Sequence, residues 1–130
     1  ALVGTGLRKN VLFDLLNNNQ IENIDSRNIY QFYPMSNLWK DINLALEEKI
    51  NIIHFSSEPT SVNEICSICL GIDFKNFVSN DLMSYDFKSI HSKKLRGKSD
   101  YHYSKLQVLK SIKEYFTNEQ LSSFDNISKK

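Results

Sequence analysis

The chain has 130 residues, 41% hydrophobic and 24% charged, with four Gly, two Pro and two Cys. That composition fits one globular domain and excludes collagenous, low-complexity and coiled-coil classes, while no apolar run approaches the ~20 residues that span a bilayer. The net charge of +1 hides an asymmetry, because residues 1–70 carry five Lys/Arg against eight Asp/Glu and residues 71–130 carry eleven against seven. That bias is too weak for a general nucleic-acid binder.

In chain order, Ala1-Leu2-Val3 reads as the end of a strand entering a turn at Gly4 and Gly6. Val11, Leu12, Leu15 and Leu16 then recur at helical spacing, and Asn17 to Asn19 end that helix. Asn28 to Tyr33 alternates as a strand would, with Tyr30 and Phe32 on one face, Gln31 and Tyr33 on the other, and Pro34 as its stop. Ser36 is placed to cap a helix that carries Leu38, Trp39, Ile42, Ala45 and Leu46 on one side. Ile50 to Phe55 reads as a strand and Ser56 to Pro59 as a turn. Ser61 and Glu64 form a capping box for a helix whose Ile65, Ile68 and Cys69 face inward, and Gly71 ends it. Met83 to Phe87 is a candidate short strand, and residues 88–103 read as an exposed loop. Ser104 and Gln107 make a second capping box, opening a helix with Leu106, Leu109, Ile112 and Phe116 as its buried stripe. Periodicity is lost from Ser122, which predicts a main domain over 1–121 and a frayed tail over 122–130. Strands alternating with helices predict a small α/β domain.

Several motifs bear on chemistry. Gly4-Thr5-Gly6 follows an apolar run, but Lys9 occupies the place of the third glycine of a dinucleotide fingerprint. A plain glycine turn is the better reading, and a ribose contact by Asp25 falls with the fingerprint. Tyr101 and Lys105 have the Tyr-x-x-x-Lys spacing, yet Tyr101 precedes the predicted helix start, so no catalytic residue is assigned. Cys66 and Cys69 form one C-x-x-C with no second pair, and His54, His91 and His102 are scattered, so no metal site is expected. The thiols read as buried and free, in keeping with a reducing, cytoplasmic compartment. Lys88, Lys93, Lys94, Arg96 and Lys98 lack an acidic neighbour and are enough to attract one phosphorylated ligand.

A family resemblance runs through residues 1–116. The segment from Ala1 to Asn10 resembles the stretch of extended short-chain dehydrogenases that follows the last major Rossmann strands. Tyr30-Gln31-Phe32-Tyr33, followed by Asn37 to Ile42, is similar to their next strand and helix. Ile52 to Ile65, with its Glu58-Pro59, resembles the strand–Glu-Pro–helix stretch of nucleotide-sugar epimerases and reductases. The resemblance implies the C-terminal, substrate-binding part of an NAD-dependent epimerase/dehydratase, an incomplete portion of a Rossmann-type enzyme. It implies that NAD or NADP and the catalytic pair belong to an N-terminal Rossmann portion, that this part alone holds no cofactor and has no turnover, and that the substrate is a nucleotide sugar. By position it implies substrate contacts from Arg8, Lys9, Asn10, Gln31 and Tyr33, with Arg96 as the phosphate ligand. Neither a nucleic acid nor a membrane is an expected partner. An open sheet edge would favour a homo-oligomer. The alternative is a non-catalytic phospho-ligand or protein-interaction module built on the basic loop 88–98.

Overall fold

The computed structural model describes residues 1–94 and 99–128, with side chains as far as Gln120. Its elements are β1 (Leu2–Val3), α1 (Val11–Leu16), β2 (Ile29–Tyr30), β3 (Tyr33–Pro34), α2 (Leu38–Glu47), β4 (Thr60–Ser61), α3 (Val62–Ile65) and α4 (Lys105–Ser128). A 3-10 turn over Met35–Asn37 leads into α2, and α3 runs on as a π turn over Cys66–Leu70. The fold mixes helix with a little sheet, as the alternation predicts.

Local chemistry sets most helix ends. The Asn10 carboxamide oxygen accepts from the amides of Leu12 at 2.9 Å and Phe13 at 3.4 Å, so Asn10 caps α1. The Ser61–Glu64 box closes in both directions: the Glu64 amide donates to Ser61 Oγ at 3.1 Å, and the Ser61 amide donates to Glu64 Oε1 at 3.3 Å. Gln107 and Ser104 repeat that exchange at the start of α4. Gly71 ends the π turn at φ 68°, a left-handed conformation that glycine adopts without strain.

The sheet departs from expectation. β1 pairs in parallel with β3, placing Leu2 opposite Tyr33 and Val3 opposite Pro34. β2 pairs antiparallel with β4, placing Ile29 opposite Ser61 and Tyr30 opposite Thr60. The predicted strand over 28–33 is therefore two strands in two ladders, and the chain changes ladder at Gln31 and Phe32. Alternation breaks there, so the adjacent Phe32 and Tyr33 are both buried. Ile50 to Phe55 forms no strand and leaves Ile52 76% exposed. An apolar run becomes a strand only where a partner edge is offered, and here none is. Met83 to Phe87 makes one isolated bridge, between Ser84 and Ile29.

Helix faces also shift. On α2, Trp39 and Leu46 point to solvent, whereas Asp41 and Ala45 are buried. Leu106 stands outside the core, whereas Leu109, Ile112 and Phe116 are buried as the stripe predicts, joined by Val108 and Tyr115. Ile68 is likewise exposed. The α4 residues pack with Val3, Leu12, Phe32, Tyr33, Ile65 and Tyr103 in one core, so the first half of α4 is the pillar against which the β1–β3 ladder closes. The helical backbone continues past Ser122 to Ser128.

The described residues between 71 and 104 form no helix or strand, yet they are anchored. Asp25, 1% exposed, accepts from the Arg27 guanidinium through both carboxylate oxygens and from the amides of Val78 and Ser79 at 3.0 Å each. The Asn76 side chain donates to the carbonyls of Glu22 at 3.0 Å and Ile24 at 2.9 Å. Nor is the stretch 88–103 an exposed loop throughout, because Ser89, Ser92, His102 and Tyr103 are buried. Local side-chain bonds replace ladder bonds in satisfying this backbone.

The Arg27 guanidinium, with help from the Val78 and Ser79 amides, holds the Asp25 carboxyl well below the ordinary carboxylate range. A carboxyl depressed in the folded state contributes stability above its unfolded value of about pH 4, and that contribution is lost as pH falls below it. Urea unfolding at about pH 7 and about pH 3 checks this: the parent chain should lose more stability between the two than Asp25→Asn does.

Candidate functional site

A cavity of about 600 Å³ lies where the start of β1, the β2–β3 link and residues 54–57 meet Phe87 and Lys88. Its size falls in the range of small-molecule sites, roughly 300–1,000 Å³. Gln31 sets its width. The Gln31 amide nitrogen donates to the carbonyls of Ser57 at 2.8 Å and Phe87 at 2.7 Å, and its oxygen accepts from the Phe87 amide at 2.8 Å. One side chain thus clamps the two walls together, and its donors are fully used.

Tyr33 also lines the cavity, through its ring. The hydroxyl faces the other way and donates to Asp41 Oδ2 at 2.5 Å; Tyr103 donates to the same oxygen at 2.5 Å. Asp41 is 4% exposed and makes no salt bridge among the described residues, so these phenols carry its solvation. Burial first, and the hydrogen bond to Asp41 next, push both phenols far above their ordinary range. The Tyr33 ring stacks on Phe55 at 5.3 Å between centroids and meets Tyr103 edge-on at 5.8 Å. His102 lies edge-on to Phe55 and accepts the Ser56 amide at Nδ1, 2.9 Å away. Its proton then sits on Nε2, which is buried without a partner, and burial pushes its pKa down. Ser57, inside the cavity wall, likewise has an unpartnered buried Oγ.

The structure brings Gln31 and Tyr33 to this cavity but not the other candidates. Arg8 and Lys9 are exposed on the turn before α1, and Asn10 is spent on its cap and on the Leu2 carbonyl at 2.9 Å. Arg96 lies outside the described residues. Ser57, Phe55 and Phe87 are lining residues that pattern reading passes over. Ser56-Ser57 carries only a turn signal in the sequence.

The other motifs find structural roles. At the glycine turn, the Gly6 amide donates to Glu119 Oε1 at 3.1 Å, and α1 begins only at Val11. A carboxylate beside the turn opposes a pyrophosphate, so these residues do not fit a dinucleotide. Asp25 is committed to Arg27, Val78 and Ser79. Tyr101 donates to Asp86, which pushes the phenol up to about 12, while Lys105 pairs with Glu64 at 2.9 Å. The two do not form a catalytic pair. Burial pushes the Cys66 and Cys69 thiols up to about 11. Among the described residues no group of three or more His, Cys, Asp or Glu could hold a metal ion, and no helix is long and apolar enough to cross a membrane.

Removing either hydroxyl, by Tyr33→Phe or Tyr103→Phe, should cost about 1.5–3 kcal/mol in chemical denaturation, the usual range for a bond to a charged group. The double variant should depart from additivity, since both phenols serve one oxygen. A phenol whose folded pKa is raised stabilises below its unfolded value of about 10, and the effect fades as pH rises above it. The parent chain should therefore lose stability above about pH 10 more steeply than the double Phe variant.

Comparison of the chain with protein-family models, with curated proteins and with solved structures finds no match.

Proposed function

We propose that this chain is the substrate-binding part of an NAD(P)-dependent nucleotide-sugar epimerase, dehydratase or reductase of the extended short-chain dehydrogenase type. The observation that carries the reading is the cavity clamped by Gln31, with aromatic walls from Phe55 and Phe87 and the Lys88 ammonium at its edge. Flat apolar walls suit a ring, and a cation suits a phosphate. The order of sequence pieces that resemble the family adds the substrate class.

Two further features favour a larger enzyme around this chain. Parallel strands are found in sheets covered on both faces, yet β1 and β3 form a parallel pair alone, with Leu2 48% exposed. Trp39 and Leu46 on α2, together with Ile52, present apolar surface of the kind a neighbouring domain covers. In this reading the N-terminal Rossmann portion brings NAD or NADP and moves hydride at a sugar carbon. Phe55, Phe87 and Lys88 hold the substrate in place, and Gln31 fixes the walls around it.

Titration calorimetry with UDP-glucose, GDP-mannose and dTDP-glucose tests the proposal. One of them should bind with a Kd between about 1 μM and 1 mM, as expected of a partial site. Silence with all three overturns the reading. Binding that inorganic phosphate matches, and that collapses with added salt, would replace it with a phospho-ligand module on residues 88–98.

A further inference from the structure

Residues 83–87 run beside residues 28–31 and are tied to them at every second position. The Met83 amide donates to the Asn28 side-chain oxygen at 3.0 Å, and the Tyr85 amide donates to the Ile29 carbonyl at 3.2 Å. Gln31 takes the Phe87 amide at 2.8 Å and donates to the Phe87 carbonyl at 2.7 Å. Alternate side chains of an extended stretch share a face. The rings of Tyr30, Tyr85 and Phe87 accordingly form one row, with Tyr30 to Tyr85 at 6.1 Å and 28°, and Tyr85 to Phe87 at 6.2 Å and 29°. Exposure rises along the row: Tyr30 is half-buried, Tyr85 is 42% exposed and Phe87 is 68% exposed.

A second cavity, of about 340 Å³, follows the row and is lined by Tyr30, Gln31, Tyr85 and Phe87. Of these only Gln31 and Phe87 also line the 600 Å³ cavity, so Phe87 is the end of the row that meets the larger space. A lone exposed apolar ring is ordinary. A ring with its backbone clamped, at the open end of a stack and shared by two cavities, is a prepared surface. Lys88 follows it, exposed and without an acidic partner among the described residues. Most polar side chains around the larger cavity are spent. The Gln31 amide holds Ser57 and Phe87, the Tyr33 hydroxyl serves Asp41, and the Ser56 hydroxyl donates to the Asp100 carbonyl at 3.3 Å. Lys88 and His54 are exposed and unpaired among the described residues.

We infer that Phe87 is the stacking platform for the base of a nucleotide whose phosphate lies at Lys88, and that the site ranks bases by the area they stack and not by their edges. The base is the next ring of the row, and the adjacent ammonium suits the charge that a nucleotide carries beside its base. Gln31, the side chain best suited to read the edge of a base, has no donor left to do so. That the ligand continues into a sugar rests on the nucleotide-sugar reading above; the stacking of its base rests on the row.

The test titrates uridine monophosphate, guanosine monophosphate, UDP-glucose and glycerol phosphate into the parent and three variants, followed by NMR chemical shifts of protein and probe. Phe87→Leu keeps apolar bulk without a flat face and should weaken the three nucleotide probes about 10-fold. Phe87→Trp keeps the face and should retain or tighten binding. Lys88→Gln should weaken every probe. All three variants should melt with the parent, since both side chains are exposed. Base protons of the bound nucleotides should move upfield in the parent and in Phe87→Trp but not in Phe87→Leu, because a stacked ring current shields them. Guanosine monophosphate should bind at least as tightly as uridine monophosphate, having the larger ring system. Should the two monophosphates bind in a Phe87-dependent way while UDP-glucose does not bind, the nucleotide-sugar reading falls and the platform stands. Should UDP-glucose bind the parent and Phe87→Leu equally, the platform falls and the reading stands. Glycerol phosphate binding as tightly as the nucleotides also overturns the platform, as does a Phe87→Leu chain that melts several degrees early, because the ring would then serve the fold. Uridine monophosphate binding far tighter than guanosine monophosphate overturns the ranking by stacked area. Binding of none of the probes overturns both platform and reading.

Discussion

With two ladders of two residues each among the described residues, this backbone has few partners of its own kind, and side chains must supply the rest. Asp25, Asn76 and Gln31 do so across long sequence separations, tying residues 76–87 back to the first third of the chain. Each uses a short, forked polar group that meets two or more backbone atoms at once. Ser26 adds to the set, accepting the Asn76 amide at 3.0 Å through its hydroxyl. Without such contacts, so long a stretch lacking helix or strand would face the entropy of an open loop. Stability and the shape of the cavity therefore depend on the same few amides and carboxylates.

The buried Asp41 carboxylate follows a related rule. Water has been removed from it, and the phenols of Tyr33 and Tyr103 take its place. Tyr33 comes from β3 and Tyr103 from the approach to α4, so one oxygen joins α2 to both. The ring of Tyr33 then lies fixed against Phe55, and Phe55 is one wall of the cavity. Behind the opposite wall, Tyr85 stacks on Phe87 at 6.2 Å and Tyr30 stacks on Tyr85 at 6.1 Å. A cavity whose walls are set before a ligand arrives loses little entropy on binding.

Polar groups of one type thus serve opposite ends. Gln31 and Asn10 were natural candidates for touching substrate, and both are consumed by backbone. Ser57 had no such claim, and its buried hydroxyl is left without a partner in the cavity wall. What separates them is completeness of pairing, which depends on every neighbour in space.

Local signals were legible in the order of residues alone. The boxes at Ser61–Glu64 and Ser104–Gln107, the glycine stop at Gly71 and the helical periods of α1, α2 and α4 each depend on residues within a turn or two of one another. They form because an unpaired amide finds its acceptor three residues away whatever the rest of the chain does. Tertiary structure alone decided the remainder. Trp39 turned outward and Asp41 inward because Tyr33 and Tyr103, distant in sequence, brought hydroxyls to that face of α2. Ile50 to Phe55 stayed out of a sheet because strand pairing needs an edge that no local pattern encodes. The cavity needed Gln31 to reach Ser57 and Phe87, residues far along the chain. A site assembled from long-range hydrogen bonds has no footprint in any short window of sequence.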